Sequence, residues 1–321
     1  MLNLVSDSSC DLISGELNSP YARLTVAPMC LHVGGQDYLD TPELDIPALL
    51  SKLAHHRSSS ACPSPAAYAE AFEQGEETVC VTISSQLSGS YNAAMAARDL
   101  VLAEHPEKKI FVLDSRATSG AMILLLRKAA ELAEQGLPFE DLCAELQSCQ
   151  KNTRLCFTLE HFDNLVNNGR MPPLAGTLLQ TLGIRIVAEA TAEGTIRVAK
   201  KARGEAHTAR GIAQLMSDAK DCTGSHVIIT HCQNPEGAER GISACFYVHV
   251  KLPFLSKVKS SRDRELLTLI RRQDRETREC PSRAQTRARP ADPRCATSRG
   301  SRSFSGRGCT RTPSRFWPDR L

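Results

Sequence analysis

This 321-residue chain has no apolar run that approaches the roughly 18 residues of a membrane-crossing helix, so no membrane span is expected. Met1 leads straight into the strand-like LNLVSDSS rather than a basic and then apolar leader, so no secretory signal is expected. No CxxC pair occurs among the thirteen cysteines. Cys143, Cys149 and Cys156 are too widely spaced for a zinc knuckle. Cys80, Cys143 and Cys156 sit in apolar patterns, where reduced cysteine behaves as a small hydrophobe, and a reducing cytoplasm is the expected location.

Nucleotide and hydrolase signatures are also missing. No GxGxxG follows the first strand-like run, and no GxxxxGK[ST], GxSxG or HExxH occurs anywhere. These absences speak against a dinucleotide fold, a Walker-type site, an α/β-hydrolase and a catalytic metal. Lysine is absent after Lys259, while arginine abounds there. From Gly241 onward 16 Arg and 3 Lys face 7 acids, a net of +12, so the first 240 residues carry −9. The stretch from Arg278 to Leu321 is Arg, Ser, Pro, Gly and Thr with little apolar periodicity.

What is present is an alternation of strands and helices. Thr78–Ile83 reads as a buried strand, Ser84 to Ser90 as a hydroxyl-rich turn, and YNAAMAARDLVLA as a helix. Such a turn places hydroxyls beside free helix N–H groups and suits an anion; the same pattern fits a serine-rich helix cap. Leu2–Val5, Lys109–Leu113, Leu155–Leu159 and His226–Thr230 read as further strands. Long helices are expected over about 119–135, 138–150 and 205–219. SSSACPSP, residues 58–65, reads as a rigid loop before a helix opened by Pro65. Asn167-Asn168-Gly169-Arg170 reads as a turn pointing an arginine outward.

The pattern implies an α/β protein with mainly parallel sheets. Asp7-Ser8-Ser9, Ser84-Ser85, Asp114-Ser115 and Thr230-His231 end four strands, the edge at which open α/β sheets bind ligands. For Asp114-Ser115 a cap is the stronger reading. Residues 1–150 are expected to form one α/β domain, 151–240 a second, and 241–321 an Arg-rich tail.

Eight segments in order, VSDSSCDL, YLD, SSACPSP, ISSQLSGSYNAA, LDSRATSG, NNGRM, EGTIRVAKKARG and ITHCQNPEGA, resemble the DegV family over about residues 1–240. The resemblance implies two α/β domains with one long-chain fatty acid, such as palmitate, bound between them. It places the carboxylate on Ser60 and Ser88, with Gly89, Ser90, Asp7, Ser8 and Ser84 as supporting pocket. Arg170, His231 and Arg203 are expected to face the head group or a partner fatty acid kinase, which would convert the bound carboxylate to an acyl-phosphate. No catalytic residue, cofactor or metal is expected. Serine at 60 and 90 replaces the family's threonine, and Ala61-Cys62 replace Ser-Gln, which leaves hydroxyl chemistry but alters its geometry.

Burying about sixteen carbons releases about 12 kcal/mol gross at roughly 0.8 kcal/mol per methylene. Two other functions stand beside the carrier. One is an enzyme acting directly on a small acidic or lipid substrate through Ser88 or His231, although no nucleophile–base–orienter set is visible. The other is a nucleic-acid binder using the Arg-rich tail. Nothing after Gly241 resembles the family's ending. Its composition suits translation out of frame or a gene join, which would leave the second domain incomplete and the tail disordered.

Overall fold

The computed structural model describes residues 1–159, 162–171, 184–218, 226–232, 234–247, 255–259 and 265–269, the last two segments and 242–247 as backbone. These residues all fall in one compact unit, Met1–Gln273. The Arg-rich stretch 278–321 lies outside the described residues.

Strand β1 (Leu2–Asp7) is buried at every position, because it is central in a parallel sheet with helices on both faces. It lies between β2 (Ala22–Ala27) and β6 (Glu77–Thr82), and β7 (Lys109–Asp114) completes the order β2-β1-β6-β7. The period-2 alternation sends Leu2 and Leu4 to one face and Val5 to the other. Leu4 packs with Met122, Leu125 and Leu126 of α4 (Gly120–Glu134) and Leu142 of α5 (Phe139–Asn152). Val5 packs with Tyr68 and Phe72 of α2 (Pro65–Glu73) and Ala94 and Ala97 of α3 (Ser90–Glu104). Each such large side chain contributes about 1.5–3 kcal/mol by leaving water. Helix α2 begins as its sequence directs: Ser64 accepts from Ala67 N at 3.2 Å, and Pro65 occupies the first turn.

A small antiparallel sheet sits beside this unit. Strands β3 (Cys30–Val33) and β4 (Gln36–Leu39) are joined by Gly34-Gly35, both at positive φ (58° and 77°), a two-residue hairpin turn. Strand β5 (Ser58–Ala61) pairs with the other edge of β3. The SSSA run was expected as loop; serine has weak strand preference, and pairing with β3 overrides it. Helix α1 (Ile46–Leu53) connects β4 to β5, capped by Asp45, which accepts from Ala48 N at 3.0 Å.

The later ladders among the described residues are antiparallel, where mainly parallel sheets were expected. Strands β8 (Cys156–Leu159), β9 (Ile184–Ala190) and β10 (Ile196–Arg203) form the order β10-β9-β8. The short turn between β9 and β10 leaves no room for the crossover that parallel strands need. Helix α6 (Asp163–Asn167) and helix α7 (Glu205–Asp218) belong to this half, and α7 packs against β8, β9 and β10. Strand β11 (Val227–Ile229) is followed by helix α8 (Pro235–Tyr247). Past Gly241, β12 (Leu255–Lys259) and β13 (Glu265–Leu269) add to β11 in the order β11-β13-β12. No helix among the described residues is long and apolar enough to cross a membrane.

Candidate functional site

A cavity of about 1840 Å³ runs between the parallel sheet's carboxyl edge, the small β3–β4–β5 sheet and the antiparallel half. It exceeds the roughly 300–1,000 Å³ of an ordinary small-molecule site. Leu31, Val33, Leu50, Leu124, Ile212 and Met216 give it an apolar wall. Helix α4 serves both sides: Ala121 and Leu124 line the cavity while Leu125 and Leu126 stay in the core.

Ser60 and Ser88 both line this cavity. Register sets Ser60: it pairs with Leu31, and both look onto the cavity from the same face of the small sheet. Ser88 lies in the turn after β6, where its N–H donates to Ser84 O at 3.1 Å. The Ser88 Oγ accepts from Ser90 N at 3.3 Å and shares a hydrogen with Ser90 Oγ at 3.1 Å. Ser90 is fully buried, so it supports Ser88 from beneath.

Arg170 does not point outward as the turn reading had it. It is half-buried on the cavity lining, and its Nε–H donates to Leu87 O at 3.0 Å. The neighbouring Asn168 Nδ2 donates to Ser58 O at 3.0 Å. The NNGR turn therefore reaches both serine-bearing segments.

Several expected pocket residues lie behind the lining. Asp7 is fully buried; it accepts from Ile83 N at 2.9 Å, from Ser9 N at 3.2 Å and from the Tyr68 hydroxyl at 3.5 Å. Ser8 Oγ accepts from Met29 N, and Ser84 Oγ donates to Gly194 O at 2.7 Å across to the antiparallel half. These groups fix the loops, and none of them is on the cavity lining. Gly89 leaves little room: a Cβ there would stand 3.2 Å from Cys62 Sγ. Arg203 is exposed at the end of β10 and is not on the lining. His231 is on the lining, with Nδ1 accepting from Asn234 N at 3.2 Å. Asp114 and Ser115 tie loops together, Asp114 accepting from Ser85 N and Arg116 N, as a structural role requires.

A second polar group lies on the lining, and the sequence pointed only to its Thr230. Ser119, at φ 56°, donates to Asp11 and shares a hydrogen with Thr230 Oγ1 at 2.7 Å. Its members stand more than a hundred residues apart in part, so no local spacing betrays them.

Burial holds the Asp7 carboxyl above the ordinary carboxylate range, against the lowering effect of its donors. The folded chain therefore keeps a proton that the unfolded chain has already released. The contribution of Asp7 to stability is fully present below the ordinary value and is lost as pH rises through the raised one. Asp7→Asn is expected to flatten that slope, read as urea midpoints from about pH 4 to pH 7. An unchanged slope would show that Asp7 is not its source. Burial likewise pushes the Cys10 thiol up to about 12, which leaves it unreactive.

A family model described as "uncharacterised protein, DegV family" matches residues 1–245. The chain belongs to the DegV family. A DegV domain-containing protein of Streptococcus pyogenes serotype M1 is 34% identical over 239 residues, 74% of this chain and 85% of that one. Among solved structures, a DegV family protein of Eubacterium eligens loaded with heptadecanoic acid aligns with a TM-score of 0.73 and 27% identity, covering 85% of this chain and 100% of that chain. The fatty acid kinase (Fak) B3 protein of Streptococcus pneumoniae, loaded with linoleic acid, aligns with a TM-score of 0.73 and 28% identity, covering 84% of this chain and 99% of that one. The DegV match ends at residue 245, close to the composition break at Gly241.

Proposed function

We propose that this chain binds one long-chain fatty acid in the cavity, holds its carboxylate at Ser60 and Ser88, and presents it to a fatty acid kinase. The cavity is the observation that carries this reading: a large apolar-walled space with Ser60 and Ser88 among the hydroxyls on its lining. The fatty acids in the Eubacterium eligens and Streptococcus pneumoniae relatives support it. The chain supplies no catalytic group in this reading; the kinase brings the phosphoryl donor, and the carboxylate oxygen is the nucleophile. A division into domains at about residue 150 and a cytoplasmic location belong to the same proposal.

Two hydroxyl donors offset the desolvation of the carboxylate without neutralising it, which keeps an oxygen nucleophilic. Arg170 beside Ser88 would counter the added charge of an acyl-phosphate. Arg170→Ala is expected to lower acyl-phosphate formation at least tenfold in an assay with the kinase, while fatty-acid affinity changes less than that. Loss of binding with the fold preserved would instead put Arg170 in the carboxylate site. Mass spectrometry of ligand extracted from purified protein tests the proposal directly. A long-chain fatty acid supports it, and a nucleotide or other small acid overturns it.

A further inference from the structure

We propose that the β3–β4 hairpin binds a divalent transition metal of the zinc class through Cys30, His32 and Asp37. The donor atoms Cys30 Sγ, one His32 ring nitrogen and an Asp37 carboxylate oxygen all lie within 4.8 Å of one another. The hairpin creates this arrangement. His32 and Asp37 are directly paired across the strands, and Cys30 is two residues from His32, hence on the same face. The Gly34-Gly35 turn fixes that register. A His32 Nδ1–Asp37 Oδ1 contact of 2.6 Å already orders two of the three side chains. The sequence showed no metal spacing here, because Cys-x-His followed by an aspartate five residues later becomes a cluster only when the chain turns back.

The donor chemistry selects the ion. Ligand bonds of about 2.0–2.3 Å put donors of a tetrahedral shell roughly 3.3–3.8 Å apart, so side-chain movements of about 1 Å, which part the His32–Asp37 hydrogen bond to admit the ion, reach that shell. A thiolate and a carboxylate cancel a 2+ charge, which suits half-buried Cys30 and His32. Sulfur and imidazole favour zinc or cobalt over magnesium or calcium. Three protein ligands leave a fourth position for water, and Ser59, opposite His32 on β5, lies on the same face. Cys30, His32 and Asp37 are not on the cavity lining; Leu31, Val33 and Ser60, which are, belong to the other face of this sheet, and Ser59 alone on the metal-site face also reaches the lining.

The test is a titration of the full-length, reduced protein with Co²⁺, followed by the thiolate-to-cobalt charge-transfer absorbance. One equivalent is expected to bind, Zn²⁺ to displace it, and Mg²⁺ not to compete. Cys30→Ser should abolish the band, and Asp37→Asn should weaken Co²⁺ affinity at least tenfold. The Asp37 side chain is 72% exposed, so that variant tests the site even if Cys30→Ser misfolds. Absence of a charge-transfer band, an undiminished band in Cys30→Ser, or unchanged affinity in Asp37→Asn would each overturn the proposal, the second by placing the metal on another cysteine.

Discussion

Replacing Ser60 or Ser88 by alanine is expected to weaken fatty-acid binding by about ten- to a hundredfold. A hydroxyl lost from a charged partner costs roughly 1.5–3 kcal/mol, and each 1.4 kcal/mol is a factor of ten. Ser88 should show the larger loss. It is half-buried and backed by Ser90, so Ser90 can donate to Ser88 while Ser88 donates onward to the carboxylate. Ser60 is exposed on β5, where water can replace part of its contribution. The double variant should cost less than the sum, since both hydroxyls address one anion. Calorimetry with a fatty acid and the matching alcohol separates the roles. The alcohol should lose much less, and the preference among chain lengths should persist because the apolar wall is untouched. Equal losses for acid and alcohol, or none, would show that these serines only shape their loops.

Gly194→Ala is expected to destabilise the protein by about 2–4 kcal/mol. Gly194 lies at φ 91° in the turn between β9 and β10, a conformation that costs any L side chain. An added Cβ would land on Ser84 Oγ and stand 3.0 Å from Arg116 Cα. Both neighbours already hold this hairpin: Ser84 donates to Gly194 O, and Arg116 Nη1 donates to Ala192 O at 3.0 Å. Moving Ser84 aside would leave a buried hydroxyl short of its partner. Ser84→Ala should cost less, about 1–2 kcal/mol, because it removes the hydrogen bonds to Gly194 O and from Gln86 N but forces no backbone to move. Denaturant midpoints of both variants check this order. A Gly194→Ala protein as stable as the parent would show that the hairpin moves freely over Ser84.

The parallel sheet was legible because its strands announce themselves. Leu2–Val5, Thr78–Ile83 and Lys109–Leu113 are short apolar runs between turn residues, and all three are strands at about those bounds. Helices α4, α5 and α7 likewise fell close to their expected limits. What stayed hidden depends on distant partners. Ser58–Ala61 is a strand only because β3 offers it an edge. Arg170 turns inward only because Leu87 O lies within reach. Asp7, Ser8 and Ser84 read as pocket residues since polar groups at strand ends look alike in sequence. The structure distinguishes them by giving each an internal partner.

Central β1 also dictates the order in which the chain can be built. Ser6 Oγ donates to Val81 O, and that partner is 75 residues further along. During synthesis, β1 can meet β2 early, but its other edge stays open until β6 has been made. Six residues whose native places are all buried must wait through that interval. Closing so long a loop carries an entropic cost that local hairpins avoid, so the sheet should form later than the β3–β4 hairpin. A truncated nascent chain ending before Glu77 would leave the β6-facing edge of β1 open, the segment a holdase chaperone should bind.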